Sequence, residues 1–157
     1  MKKAMLLAAL FTSAALNVAC GGPSASVATP PGFGVLKDQK EYVYRATSAE
    51  GVVLAVRAEK NEPQGNLDFW ADALDRTLRR AGYVAEGNPG SVRSGDGLSG
   101  RVHKYTRDQG GRAQRFWIAV FVTEGRVWVV EAGGDAQRFK GKIQDGVQRA
   151  IESISLH

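Results

Sequence analysis

The middle of the chain carries a helical stripe of apolar residues. After Asn66, apolar side chains recur at steps of three or four residues: Leu67, Trp70, Leu74, Leu78 and Ala81. This spacing predicts an amphipathic helix, because it places all of them on one face. Asn66 suits the N-cap position and Gly82 the end of the helix. We expect the opposite face to be solvated, because it carries the charged residues Asp68, Asp72, Asp75, Arg76, Arg79 and Arg80.

Apolar runs on both sides of this helix predict strands. Residues 42–47 and 52–58 flank the turn Ser48–Gly51, which predicts a hairpin. The loop-rich stretch 86–100, with a short strand at 91–93, leads into a meander of three strands at 101–107, 114–122 and 127–132. The last two strands are apolar on both faces, so we expect the sheet to be covered on both sides.

A second helical stripe closes the chain. We predict that this helix begins after Gly133–Gly134 with Asp135 as its cap, and that it buries Phe139, Ile143, Val147, Ala150, Ile151 and Ile154. Two helices and a mostly antiparallel sheet indicate an α+β fold. The expected extent of this single domain is residues 37–157.

The order of these elements resembles a known family. A hairpin, the helix FWADALDRTLRRAGY, the meander RFWIAVFVTEGRVWVVEAGG and the closing segment DAQRFKGKIQDGVQRAIESI are similar to the PsbP-like α/β/α sandwich. The resemblance spans nearly all of the domain. It implies a binding or assembly factor, because known members mostly act in that way and the fold has no invariant catalytic signature.

The first residues of the chain are typical of a bacterial lipoprotein export signal. Lys2 and Lys3 precede an apolar run from Ala4 to Leu16, which is too short to span a bilayer. The following Val18-Ala19-Cys20 resembles the lipobox, whose cysteine receives lipid and becomes the mature N-terminus. We therefore predict a signal peptide at residues 1–19 and lipid attachment at Cys20.

Two features of this signal leave the destination open. Asn17 departs from the lipobox pattern, and ordinary signal cleavage after Ala15 would instead give a soluble periplasmic or secreted protein. Gly21 follows Cys20 in place of the aspartate that retains many lipoproteins in the inner membrane. The expected location is therefore the periplasmic or outer face of the outer membrane.

The next stretch is uncharged and rich in glycine, proline, serine and alanine. Its composition predicts that residues 20–36 are a lipidated N-terminus and a flexible tether. Loss of Lys2 and Lys3 with the signal would leave 19 basic residues against 16 acidic ones, a net charge of +3. That mild charge, with no nucleic-acid-binding module, argues against nucleic acid as a partner.

The sequence lacks a pattern that indicates catalysis. Gly95–Gly100 satisfies G-x-G-x-x-G, but it leads into a predicted strand and not a helix, so we interpret it as a loop. Only two histidines occur, His103 and His157, and neither has ligand-spaced Cys, Asp or Glu neighbours. We therefore predict no metal, no cofactor and no enzymatic activity.

Two functional hypotheses follow. The favoured one is a membrane-anchored, non-enzymatic binding or assembly module whose partner is an envelope protein, contacted through exposed basic strand residues Arg101, His103 and Arg107. The alternative is a carrier or sensor of a small apolar ligand held between helix and sheet. In that case the pocket would be lined by Trp70, Trp117, Phe121 and Trp128.

Overall fold

The computed structural model describes residues 21–39 and 41–157 of the chain. The predicted signal peptide at 1–19 and the predicted lipid attachment at Cys20 lie outside the described residues. In chain order the elements are β1 (Ala25–Ser26), β2 (Phe33–Val35), β3 (Tyr44–Ser48), β4 (Val53–Lys60), α1 (Leu67–Arg80), β5 (Val84–Ala85), β6 (Gly90–Arg93), β7 (Ser99–Asp108), β8 (Ala113–Val122), β9 (Arg126–Asp135), α2 (Lys142–Ser153) and β10 (Ser155–Leu156).

One large antiparallel sheet forms the centre of the molecule. Its strands lie in the order β2-β3-β4-β9-β8-β7-β5, and β6 also pairs with β7. The predicted hairpin and meander are confirmed, and β9 joins them by pairing with β4 along its length. β1 and β10 form a separate two-stranded ribbon.

The two helices cover opposite faces of this sheet. The apolar stripe of α1 packs on side chains that include Tyr105, Ile118 and Val129. The stripe of α2 packs on the other face, which includes Leu54 and Trp128. The apolar faces of β8 and β9 are thus both buried, which confirms the α+β class with a mostly antiparallel sheet and two helices.

The first helix forms as its sequence predicts. Asn66 adopts an extended conformation, and its side chain accepts a hydrogen bond from the Phe69 backbone at 2.9 Å. This contact satisfies one of the free N–H groups of the first turn.

The second helix begins later than predicted. Gly133 to Asp135 belong to β9, because Gly134 and Asp135 pair with Arg115 and Gln114 of β8. Asp135 caps a turn instead, where its side chain accepts from the Gln137 backbone at 2.8 Å. The helix starts only after Gly141, whose φ of 54° is accessible to glycine.

Paired strands also occur within the stretch that composition predicts to be a flexible tether. β1 pairs with β10 and β2 with β3, so residues 25–35 add strands to both sheets. Pro30 is buried and packs closely on Gly146 of α2. A Cβ added to Gly146 would lie only 3.2 Å from the Cβ of Pro30. Folded structure therefore begins near Ser24 and not at residue 37, because small apolar side chains in this segment fit closely against α2.

The loops of the central sheet lie at two opposite ends, which we call the anchor end, after the predicted lipid attachment at Cys20, and the far end. The anchor end consists of the loops 61–66, 94–98 and 123–125 together with the paired residues Ser24 and His157. The far end consists of the loops 49–51, 109–112 and 136–141.

Candidate functional site

The predicted contact residues lie in one row on β7, on the face that α1 covers. Arg101, His103, Tyr105 and Arg107 alternate along the strand, so their side chains project to the same side of the sheet. Each of these four side chains contacts a residue of α1 or, for Arg107, Tyr83 just after α1. Helix α1 thus decides which of these side chains reach solvent.

Arg101 opens the row at the anchor end. Its Nη2 lies 2.6 Å from Oδ1 of Asp68 in the first turn of α1, and the two side chains are 36% and 74% exposed. An ion pair this open to water contributes only about 0–1 kcal/mol, so a competing carboxylate can replace Asp68 at small cost.

A groove of about 460 Å³ adjoins Arg101. It lies between the start of α1 and the paired strands β6 and β7, and it is lined by Leu67, Ser91, Val92, Arg93, Ser99, Gly100 and Arg101. Arg93 is held at the rim, because its Nη1 donates a hydrogen bond to the carbonyl oxygen of Gly97 at 2.8 Å. The groove thus combines two guanidinium groups with two serine hydroxyls.

His103 is buried, contrary to the expectation that it is exposed. Only 7% of the residue is accessible, and its ring lies parallel to the Tyr105 ring with centroids 6.1 Å apart. Its Nδ1 is 3.7 Å from Oδ1 of Asp75, and its Nε2 makes no hydrogen bond within the described part of the chain. Burial lowers the pKa of His103, outweighing the attraction of Asp75, and nearby Arg101 lowers this pKa further.

Asp75 of α1 contacts the buried part of the row. It accepts hydrogen bonds from the Tyr105 hydroxyl at 2.7 Å and from Nε of Arg79 at 2.8 Å. Burial favours a higher pKa for Asp75, but the hydrogen bonds from Arg79 and Tyr105 outweigh it and the pKa is lowered. Burial, followed by the hydrogen bond to Asp75, raises the pKa of Tyr105. These contacts tie α1 to the sheet.

Arg107 ends the row at the surface. Its guanidinium carbon lies 5.2 Å from the centre of the Tyr83 ring, within the range of a cation–π contact. Six residue steps along the strand separate it from Arg101, which corresponds to roughly 20 Å. Arg101 and Arg107 are therefore two separate solvent-accessible basic residues, whereas His103 is buried between them.

The four aromatic residues of the predicted ligand pocket do not come together. Trp117, Phe121 and Trp128 belong to the core under α2, and each is at most 2% exposed. Trp70 belongs to α1 and packs on the opposite face of the sheet, and its Nε1 donates to Oδ1 of Asn61 at 2.7 Å. The sheet separates the two sets, so these side chains fill two cores and do not line one pocket.

The groove itself gave no signal in the sequence. The groove residues of β6 and β7 lie together only because the two strands pair in antiparallel register. In this register Ser91 is opposite Arg101, and Arg93 is opposite Ser99. The loop that joins these strands is the G-x-G-x-x-G segment, and the structure places it between two strands as expected. Of the residues that line the groove, the sequence singled out only Arg101, as an exposed basic strand residue.

Two general properties of the described residues bear on the site. None of the helices in residues 21–39 and 41–157 is long and apolar enough to cross a membrane. Within the same ranges, no group of three His, Cys, Asp or Glu side chains is arranged to hold a metal ion.

Comparison with known proteins identifies the fold. No family model and no curated protein sequence matches the chain. The crystal structure of LpqN, a protein involved in cell envelope biogenesis of Mycobacterium tuberculosis, matches with a TM-score of 0.66 at 13% identity, covering 89% of this chain and 87% of LpqN. The two chains share a fold.

A second solved structure is more distant. A protein of unknown function from Pseudomonas aeruginosa, PA94, described as a putative regulator, has a TM-score of 0.41 at 14% identity. The match covers 78% of this chain and 76% of PA94. A likeness of this size does not establish a common fold.

Proposed function

We propose that this protein is an exported bacterial lipoprotein, anchored through lipid on Cys20, that acts as a non-enzymatic binding or assembly module for an envelope protein. The proposed location is the periplasmic or outer face of the outer membrane. The export signal and Cys20 support the anchor. The fold shared with LpqN, whose role is in cell envelope biogenesis, and the resemblance to PsbP-like binding factors are compatible with the module.

The groove beside Arg101 is the observation that carries the binding role. Both Arg93 and Arg101 line it, and the carboxylate of Asp68 pairs with Arg101. Planar guanidinium groups bind carboxylates through two parallel hydrogen bonds. The partner surface that fits best is therefore an acidic segment of an envelope protein, and Arg107 provides a second basic contact further along the strand.

The anchor is tested by replacing the single cysteine of the chain. Cys20→Ala should abolish incorporation of labelled fatty acid and release the protein from membranes, while its circular dichroism stays that of the folded domain. Ser13→Ala, in the same signal, is the matched control and should label normally. Continued labelling of Cys20→Ala would refute lipid attachment at this residue.

The binding role is tested by capture from detergent-solubilised envelopes. The double change Arg93→Ala and Arg101→Ala should lower recovery of a specific partner about tenfold or more. It removes two guanidinium groups that a bound partner would shield from water, and a hydrogen bond to a charged group then contributes about 1.5–3 kcal/mol. Arg112→Ala, an exposed arginine at the far end, should leave recovery unchanged. Equal recovery from all three proteins would refute the groove as the contact, and the absence of any specific partner would refute the binding role.

A further inference from the structure

The segment that follows Cys20 is fixed to the domain almost at once. Ser24 and His157 exchange two backbone hydrogen bonds of 2.9 Å. Further along, the Ala28 backbone donates to Oγ of Ser153 at 3.2 Å, and Pro30 packs against α2. The chain from Ser24 onward therefore runs along α2 as part of the fold and does not extend away from it.

Only three residues remain between Cys20 and this fixed point. Gly21, Gly22 and Pro23 give four Cα-to-Cα steps, which reach at most roughly 14 Å when fully extended. The uncharged stretch at 21–34, if it were the flexible tether expected from composition, would have allowed its fourteen residues to extend over roughly 45 Å. A lipid on Cys20 would thus hold the domain at the membrane surface with little freedom to turn.

The fixed point also defines which part of the domain is nearest to the lipid. The ribbon that contains Ser24 is joined to the loop 94–98, because the Gly95 backbone donates to Ile154 at 2.7 Å and the Leu156 backbone donates to Asp96 at 3.0 Å. That loop lies at the same end of the sheet as the loops 61–66 and 123–125. The anchor end is therefore the end nearest Cys20.

The anchor end has side chains that suit a phospholipid surface. Phe69, in the first turn of α1, is 45% exposed and covers Gly65, so it projects beyond the helix start. Aromatic side chains favour the boundary between lipid and water. Acidic residues also occur at this end, among them Glu62 and Glu124, so the lipid anchor and not net charge would set the orientation.

We propose that the anchor end of the domain rests against the phospholipid surface of the membrane, with the far end directed away from it. This inference rests on the lipidation of Cys20 proposed above. The β7 strand, ten residues long, runs between the two ends. At about 3.3 Å per residue it spans roughly 33 Å, so the far end lies well beyond the lipid headgroups. The groove beside Arg101 opens at the membrane surface, where it meets only partners that lie there.

Single-cysteine labelling tests this orientation in the full lipidated protein. Because Cys20 is the only cysteine and its sulfur would carry lipid, an introduced cysteine is the sole free thiol. Fluorophores are placed at Gln64→Cys and Glu124→Cys at the anchor end, and at Glu50→Cys and Arg112→Cys at the far end; all four positions are exposed. The protein is then bound to vesicles of phosphatidylethanolamine and phosphatidylglycerol that contain nitroxide-headgroup lipid.

We expect several-fold stronger quenching at the two anchor-end positions than at the two far-end positions. A matched variant with a fourteen-residue glycine-serine insertion between Gly22 and Pro23 should lose most of this difference, because the domain is then free to turn. Flotation with the vesicles and equal quenching at all four positions would overturn the orientation while leaving lipidation intact. Failure to float would overturn the lipidation and the orientation with it.

Discussion

Asn61 holds the anchor end of the domain together, and its removal should destabilise the protein more than most single changes. The residue is 6% exposed and its amide joins three segments. Nδ2 donates to the carbonyl oxygens of Gly65 at 3.0 Å and Thr123 at 3.1 Å. Oδ1 accepts from the Gly65 backbone at 2.9 Å and from Nε1 of Trp70 at 2.7 Å. One side chain thus connects the loop before α1, the turn after β8 and the helix.

The size of the effect follows from these four hydrogen bonds. Each contributes about 1 kcal/mol net, and Asn61→Ala would leave the indole N–H of Trp70 without its acceptor. Thr123 lies in an exposed turn, where water replaces part of the loss. We therefore expect Asn61→Ala to lower the free energy of unfolding by about 2–4 kcal/mol, which corresponds to a fall in Tm of roughly 8–15 °C for a domain of this size.

Urea unfolding followed by tryptophan fluorescence measures this loss directly. Asn66→Ala is the matched control, because the Asn66 side chain makes a single capping bond and its loss should cost about 1 kcal/mol. A loss for Asn61→Ala no larger than that of Asn66→Ala would refute the reasoning, since it would mean that the four bonds act no more strongly than one.

Two further predictions concern packing and pH. In Gly100→Ala the new Cβ would lie 2.5 Å from ring atoms of Phe121 and 2.8 Å from the Val120 carbonyl oxygen, so we expect the free energy of unfolding, measured by heat or urea, to fall by about 1–3 kcal/mol. Gly125→Ala is the control, because the space around Gly125 is open, and its free energy of unfolding should stay within about 0.5 kcal/mol of wild type. Similar values for the two variants would contradict the packing argument. The pKa of His103 is lower in the folded protein than its ordinary value of 6.5, so the unfolded state binds more protons when the pH drops below 6.5. The free energy of unfolding should therefore fall as the pH falls through 6.5. Urea unfolding at about pH 7.5 and pH 5 should show a smaller fall in His103→Gln, and an equal fall in both proteins would show that His103 does not titrate differently on folding.

Local patterns in the sequence were sufficient for most of the elements. The stripe from Leu67 to Ala81 gave α1 with its Asn66 cap, because helical periodicity and capping depend on neighbours within a few residues. The strands of the meander were visible for the same reason. The error at Asp135 arose because a glycine pair followed by aspartate fits a helix start, while only pairing with β8 shows that the strand continues through it.

Long-range contacts decided everything about the candidate site and the linker. Composition alone made residues 21–34 a tether, yet the partners that hold Ser24 and Ala28 are His157 and Ser153, more than 120 residues away. His103 has the same alternation along β7 as Arg101 and Arg107, and only the position of α1 makes it buried while they remain accessible. The sequence by itself therefore determined which segments are helices and strands, because periodicity is local. The tertiary structure alone decided which ends, faces and side chains meet, because those contacts join segments that no local pattern relates.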